Sequence, residues 1–200
     1  MARINLNVPF SEKDEAKQLG ARWDATLKVW FVPDGVDFSA FGRWLPTVPD
    51  VNIRSQRYGI AQTETVCWKC DELTRVYGFV LPPGHQTVEQ DEDGVDEWYE
   101  HDSSAMALYV TDLPPTVIAR LKLITRHYYV DFSKTTNSSY WMNHCENCGM
   151  KQGDFAIYCE PGGAFFPMDE YATSKISLQS VHEPFCCNGD AAYGGLFEDN

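Results

Sequence analysis

Long apolar runs are missing from this chain. No stretch reaches the roughly eighteen consecutive apolar residues that a membrane-spanning helix needs, so no membrane span is expected. The start, Met1-Ala2-Arg3-Ile4-Asn5, leads directly into charged residues without the apolar core of a secretory signal, and the cytoplasm is the expected compartment. Basic residues are scarce: 16 Lys and Arg stand against 29 Asp and Glu, a formal net charge of −13. Such a balance works against nucleic-acid binding, whose affinity rests largely on cationic contacts to phosphates. Also missing are a phosphate loop, since no Lys-Ser/Thr follows Gly162-Gly163, and an EF-hand, since Asp91-Glu92-Asp93-Gly94 has the wrong spacing. His85, His101, His127 and His182 have no acid or nucleophile at a catalytic spacing. These absences point away from an enzyme. Internal repeats and coiled-coil heptads are lacking as well.

What is present is two Cys-x-x-Cys pairs, Cys67-Trp68-Lys69-Cys70 and Cys145-Glu146-Asn147-Cys148. A two-residue spacer lets both sulfurs of a pair reach one ion, and four thiolates make the closed tetrahedral site of a structural Zn²⁺. Gly149 follows the second pair, where a tight turn favours positive φ. The 74 residues between Cys70 and Cys145 far exceed the spacing of a sequence-local zinc site. The expected ion therefore clamps two distant parts of one domain, as in a zinc ribbon carrying a large insertion. Buried or disulfide-bonded cysteines are the alternative. An odd total of seven cysteines favours metal in a reducing compartment. Cys159 reads as a small core residue, Cys186-Cys187 as packing residues or a replacement ligand, and His144 as a surface or strand-end residue, the alternative being a replacement ligand or a residue supporting the ligands.

Charge is unevenly placed. Residues 1–57 carry 8 Lys/Arg and 7 Asp/Glu, whereas 58–200 carry 8 and 22. Glu89 to Asp102 alone holds eight acids. Such a run attracts a basic protein and speeds the encounter; the alternative is a solvated, mobile acidic loop. Asp91, Glu92, Asp93, Asp96 and Glu97 are the candidate steering residues, with Trp98 and Tyr99 as candidate buried anchors.

The periodicities predict an α+β chain in two parts. Residues 1–48 read as a small β-α-β-α module: a strand over 4–8, a helix over 12–19 capped by Ser11 and ended at Gly20, a strand over 29–32, and a short helix carrying Phe38, Phe41, Trp44 and Leu45. Trp23, Trp30 and Trp44 are expected in its core, the alternative being a base-stacking platform of Trp23, Trp30, Phe31 and Trp44 beside Arg22 and Lys28. Residues 49–57, with Pro49, Asp50 and Asn52, read as a linker. Residues 58–200 read as a larger antiparallel-sheet domain with a zinc-ribbon-like site. Strands are expected over 75–81, 107–110, 128–132 and 140–142. A helix should begin at Pro114 or Pro115, with Val117, Ile118, Leu121 and Ile124 on one face.

Within the first part, Asn5-Val8-Pro9-Phe10, Lys13-Asp14-Glu15-Ala16-Lys17, Leu19-Gly20-Ala21-Arg22-Trp23-Asp24 and Lys28-Val29-Trp30-Phe31-Val32-Pro33 resemble the small bacterial domain DUF5710. That domain also occurs beside primase catalytic domains of conjugative plasmids, so the resemblance implies a nucleic-acid neighbourhood. No primase or Toprim-like acidic motif accompanies it here, and primase activity does not carry over. In the second part, Cys145-Glu146-Asn147-Cys148-Gly149, Gln152-Gly153-Asp154-Phe155 and Gly162 to Pro167 resemble a zinc-ribbon type seen in uncharacterised bacterial proteins. The functional expectation is a zinc-stabilised, non-enzymatic binding protein whose acidic domain engages a basic partner. Its most concrete form is an immunity protein neutralising a basic toxin such as a nuclease, by analogy with small acidic inhibitors. The alternative is a nucleic-acid-associated accessory protein of a plasmid or other mobile element; a zinc-dependent hydrolase or transferase is a third class.

Overall fold

The computed structural model describes residues 4–25, 28–33, 36, 38–44, 51–90 and 93–194. The chain divides into two compact units, residues 1–49 with 114–123, and residues 50–113 with 124–200.

In the first unit, β1 (Ile4–Leu6), β2 (Arg22–Asp24) and β3 (Val29–Val32) form an antiparallel sheet in the order β1-β3-β2. Helix α1 (Lys13–Gln18) follows a 3₁₀ turn at Phe10–Glu12. Ser11 sits inside that turn, and no side chain among the described residues caps α1, so the expected Ser11 cap is not made. Gly20 does end the segment, at φ +104° with its N–H on the Lys17 carbonyl. Two departures from the expected β-α-β-α order have local causes. Arg22-Trp23-Asp24 pairs with Val29–Phe31 across a short connection and adds a strand. Phe38–Trp44 is 3₁₀ rather than α-helical, because Phe41 and Trp44 lie three apart and a three-residue turn keeps them on one buried face. The core comprises Leu6, Ala16, Ala21, Val32, Phe41 and Trp44, with Trp30 packed at its margin. Trp23 is 50% exposed and leans on Trp30, so the expected tryptophan core reduces to Trp44 and part of Trp30. Helix α2 (Pro115–Ile124) starts at a proline, where a missing N–H costs nothing; it buries Val117 and Leu121.

The second unit is built on an eight-stranded antiparallel sheet. Its strands are β4 (Ile53–Ser55), β5 (Tyr58–Val66), β6 (Leu73–Leu81), β7 (His85–Gln90), β8 (Asp96–His101) and β9 (Ala105–Thr111), completed late in the chain by β13 and β14. Between these lie β10 (Tyr128–Ser133), β11 (Ser138–His144) and β12 (Lys151–Gln152), which form a separate three-stranded sheet in that order. A π-helical turn at Phe155–Cys159 and α3 (Glu170–Ser174) precede β13 (Ser177–Val181) and β14 (Phe185–Tyr193). The order across the large sheet is β13-β5-β6-β9-β14-β4-β7-β8.

Three of these strands lie where other structure was expected. Residues 53–55, inside the stretch read as a linker, form β4, with Ile53 buried between Cys187 and Thr87. The acidic run, for which a mobile loop was the alternative reading and no strand was expected, folds largely into the β7–β8 hairpin, with Val88 opposite Trp98 and Glu89 opposite Glu97. β14 also joins β9 to β4, a pairing no local periodicity encodes.

From Val76 to Leu81 both faces of β6 are buried. Val76 and Val80 pack with Ala61, Met106, Leu108, Ile157, Tyr158 and Phe165. Phe79 on the other face meets Tyr58, Phe185 and Tyr128, with ring centroids 5.1 to 6.1 Å apart. Gly78 has a steric reason: a Cβ there would lie 2.6 Å from Met106 Cε and 2.7 Å from Tyr158 Cε1. Tyr158 instead lies over the strand and donates its hydroxyl to the Tyr77 carbonyl at 2.6 Å. Cys159 packs at the edge of this core and Cys187 is buried, as expected for packing cysteines.

Candidate metal centre

The two Cys-x-x-Cys pairs form the loops of two β-hairpins. Val66 pairs with Leu73 across the first and His144 with Lys151 across the second, so each hairpin offers a six-residue loop. The loops are related residue by residue. The Cys67 N–H donates to the Glu72 carbonyl at 2.9 Å, and the Cys145 N–H to the Met150 carbonyl at 2.8 Å. Asp71 N–H returns to the Cys67 carbonyl as Gly149 N–H returns to that of Cys145. Lys69 and Asn147 N–H groups each point at the first sulfur of their pair, at 3.4 Å. The turn requires the left-handed region at its fifth position, filled by Gly149 (φ 71°) in one loop and Asp71 (φ 57°) in the other.

The loops bring all four sulfurs within 4.8 Å of one another. Cys67 to Cys148 and Cys70 to Cys145 are each 3.7 Å apart. A disulfide would need about 2.05 Å, so the cysteines are free thiols. A tetrahedron with metal–sulfur bonds of about 2.3 Å has sulfur–sulfur edges of about 3.8 Å, close to the observed spacing. The four cysteines can therefore hold a metal ion. Cys145 is affected first by burial, which pushes its thiol up, yet the Cys148 and Asn147 amides outweigh this and bring it to about 6. Burial likewise pushes Cys67 up, and the Lys69 and Cys70 amides outweigh it to leave the thiol lowered. The Glu72 amide pulls Cys70 down, but burial and the neighbouring sulfurs push it up to about 12. Clustered thiolates repel one another, and a divalent cation removes that conflict.

Cross-ties hold the loops face to face. Gln152 Nε2 donates to Cys67 Sγ at 3.3 Å, and Thr74 Oγ1 accepts the Glu146 N–H at 3.0 Å. Arg75 meets Glu146 at 3.0 and 3.1 Å. Trp68 Nε1 donates to the Lys151 carbonyl at 2.9 Å. Deeper, Asn143 stands where a neighbouring strand would, accepting the Tyr77 N–H and donating to the Tyr77 carbonyl, both at 2.8 Å. Trp68, Glu146 and Gln152 fall within the quoted motifs, but none of these residues was assigned a supporting role from the sequence. The available signal was that Thr74 and Gln152 occupy matching places after the two pairs.

His144 does end β11, as one option of the sequence reading had it, but it is buried rather than on the surface. Its Nδ1 faces the Met142 carbonyl at 3.0 Å, its Nε2 faces Asp131 at 3.2 Å, and its ring stacks on Tyr129. Both ring nitrogens are occupied, which removes it as a ligand. Asp131 is held down at about 2, first by Lys151 and then by His144. Cys159, Cys186 and Cys187 lie outside the sulfur cluster.

The candidate partner residues lie elsewhere in the second unit. Asp93, Asp96, Glu97, Trp98 and Tyr99 are exposed on or beside the β7–β8 hairpin; Asp91 and Glu92 lie outside the described residues. Trp98 and Tyr99 point to opposite faces, and the Trp98 ring is already covered by the Arg54 guanidinium, 4.0 Å from its centroid. No helix among the described residues is long and apolar enough to cross a membrane.

Comparison with known proteins reaches only the first unit. The profile of the family described as "Domain of unknown function (DUF5710)" matches residues 3–46. Two Escherichia coli proteins named "DNA primase TraC" are 60% and 56% identical to this chain over 42 residues. That stretch is 21% of this chain but 4% and 3% of those proteins. No solved structure matches. The chain thus carries a DUF5710-like segment shared with a small part of each primase, and its four cysteines lie outside the matched segment.

Proposed function

We propose that this chain is a zinc-stabilised, non-enzymatic binding protein of the cytoplasm. In this reading its acidic second unit docks on a basic protein partner, most concretely as an immunity protein blocking a bacterial toxin such as a nuclease. The carrying observation is the β7–β8 hairpin. No Lys or Arg occurs between Arg75 and Arg120, while nine Asp and Glu do, eight of them within Glu89–Asp102. A hairpin at the sheet edge places most of those acids in solvent at fixed positions. Such a surface steers a cationic partner and rejects nucleic acid. Zinc suits the cysteine centre because four thiolates close the coordination shell, which leaves a structural role and no open position for substrate.

The test is inhibition. A partner captured from the host and purified should lose activity at equimolar amounts of the chain, with association that slows as salt rises. A partner bound without inhibition, or at rates indifferent to salt, would contradict the proposal. A second reading, an accessory protein of a mobile element, is favoured by the segment shared with the two primases. Tight, salt-sensitive binding of the full chain to oligonucleotides would put that reading ahead.

A further inference from the structure

The strand register sorts the acidic hairpin into two unlike faces. One face carries Gln86, Val88 and Gln90 with Asp96, Trp98 and Glu100. Its aromatic ring is already covered: Arg54 from β4 lays its guanidinium over Trp98 and donates through Nε to Gln86 Oε1 at 2.7 Å, and the cleft of about 270 Å³ beside Gln86 and Glu100 is itself lined by that cation. Gln86 in turn donates to Glu100 at 3.2 Å. The other face carries His85, Thr87 and Glu89 with Glu97, Tyr99 and His101. Glu89 and Glu97 stand directly opposite each other there, an arrangement that costs stability in a β-ladder.

The second face borders a cleft of about 220 Å³ lined by Asn52, Thr87, Glu89, Asp190 and Tyr193, among others. Among the described residues, no Lys or Arg lines it. Its walls are fixed from beneath. His85 is fully buried and donates from Nδ1 to the Pro82 carbonyl at 2.9 Å, leaving Nε2 to accept from the Tyr193 hydroxyl at 3.3 Å. His101 stacks on His85 with centroids 4.9 Å apart, packs against Tyr99 and Tyr193, and meets Thr87 Oγ1 at 2.7 Å. Asn52 accepts the Gly189 N–H and donates to the Gly189 carbonyl, which holds the β14 bulge bearing Asp190. A preformed cleft with two carboxylates, a phenol and a hydroxyl is suited to a guanidinium, which bonds carboxylates through its planar fork and stacks on aromatic faces.

We infer that the Glu89–Glu97–Tyr99 face and its adjoining cleft receive an arginine side chain of the basic partner, the Trp98 ring being already covered by Arg54. This rests on the reading of the acidic unit as a binder of basic proteins. Charge complementarity selects the occupant, and the seating of Arg54 on the opposite face illustrates how this hairpin holds a guanidinium. Tyr99, 58% exposed, is then the aromatic anchor in place of Trp98.

The experiment uses the full chain and a hexa-arginine peptide near 0.1 M salt. Two double variants remove the same charge from different faces: Glu89→Gln with Asp190→Asn, and Asp96→Asn with Glu100→Gln. The first should weaken binding by about tenfold or more and the second by about twofold. Amide shifts in the wild type should centre on Thr87, Tyr99 and Tyr193. Equal weakening by both variants overturns the assignment to one face and leaves the acidic-surface reading standing. Absence of saturable binding by the wild type overturns the assignment together with that reading.

Discussion

Asp154 opens the π-helical turn and is 1% exposed. One carboxylate oxygen, Oδ2, accepts the Tyr109 N–H at 2.8 Å, while Oδ1 has no hydrogen-bond partner among the described residues. Burial pushes its pKa up to about 7, against the pull of the Tyr109 amide, from an ordinary value of 3.8. Each pH unit between the folded and unfolded values corresponds to about 1.4 kcal/mol, so ionising Asp154 in the folded chain costs about 4 kcal/mol. The folded value is the higher one, and the folded chain therefore holds the proton more tightly. The associated stability is fully present below about pH 4 and is lost as pH rises through about 7. Asp154→Asn keeps an oxygen for Tyr109 and cannot ionise, although its amide N–H groups bring about 1–3 kcal/mol of unmet hydrogen bonding. The variant should be no more stable than wild type at pH 5 and more stable by about 1–3 kcal/mol at pH 9. Chemical denaturation of both proteins at fixed metal concentration, from pH 5 to pH 9, measures the difference. Denaturation midpoints that stay parallel across that range would refute the reasoning, because an Asp154 titrating normally gives no such divergence.

Three further outcomes follow from local geometry. Asp71 takes φ 57° where its counterpart is glycine, so Asp71→Gly should stabilise the chain by about 0.5–1 kcal/mol in the same denaturation assay. Asn143 is fully buried and satisfies both backbone groups of Tyr77, so Asn143→Leu should cost about 2–5 kcal/mol, measured as a lowered midpoint. Gly78→Ala should cost about 1–3 kcal/mol by driving a methyl into Met106 and Tyr158, with a lower Tm as the readout.

The cysteine pairs, Gly20 and Gly149 are readable in the sequence because each is a local device whose residue type dictates its geometry. So are the strands over 128–132 and 140–142 and the helical pair Val117 and Leu121, which rest on short-range periodicity. The acidic hairpin was not legible. Glu89 and Glu97 fall on one of its faces and Asp96 and Glu100 on the other, so the run lacks the apolar–polar alternation that marks a half-buried strand. Asp71 also hid its role: aligning the two pairs sets it opposite Gly149, but an aspartate does not by itself announce a left-handed φ as a glycine does. The pairing of β14 with β4, the Asn143 bridge and the burial of His144 depend on partners 13 to 134 residues away, beyond the reach of any local pattern. Trp23, read as core, is exposed because β2 adds an edge strand that turns it outward.

The central claim is that one zinc ion joins the two cysteine loops, and metal stoichiometry tests it most directly. Elemental analysis of freshly reduced full-length protein should find one zinc per chain, and Cys148→Ser should lose it together with several kcal/mol of stability. An equal zinc content in both proteins, or none in the wild type, would contradict the account.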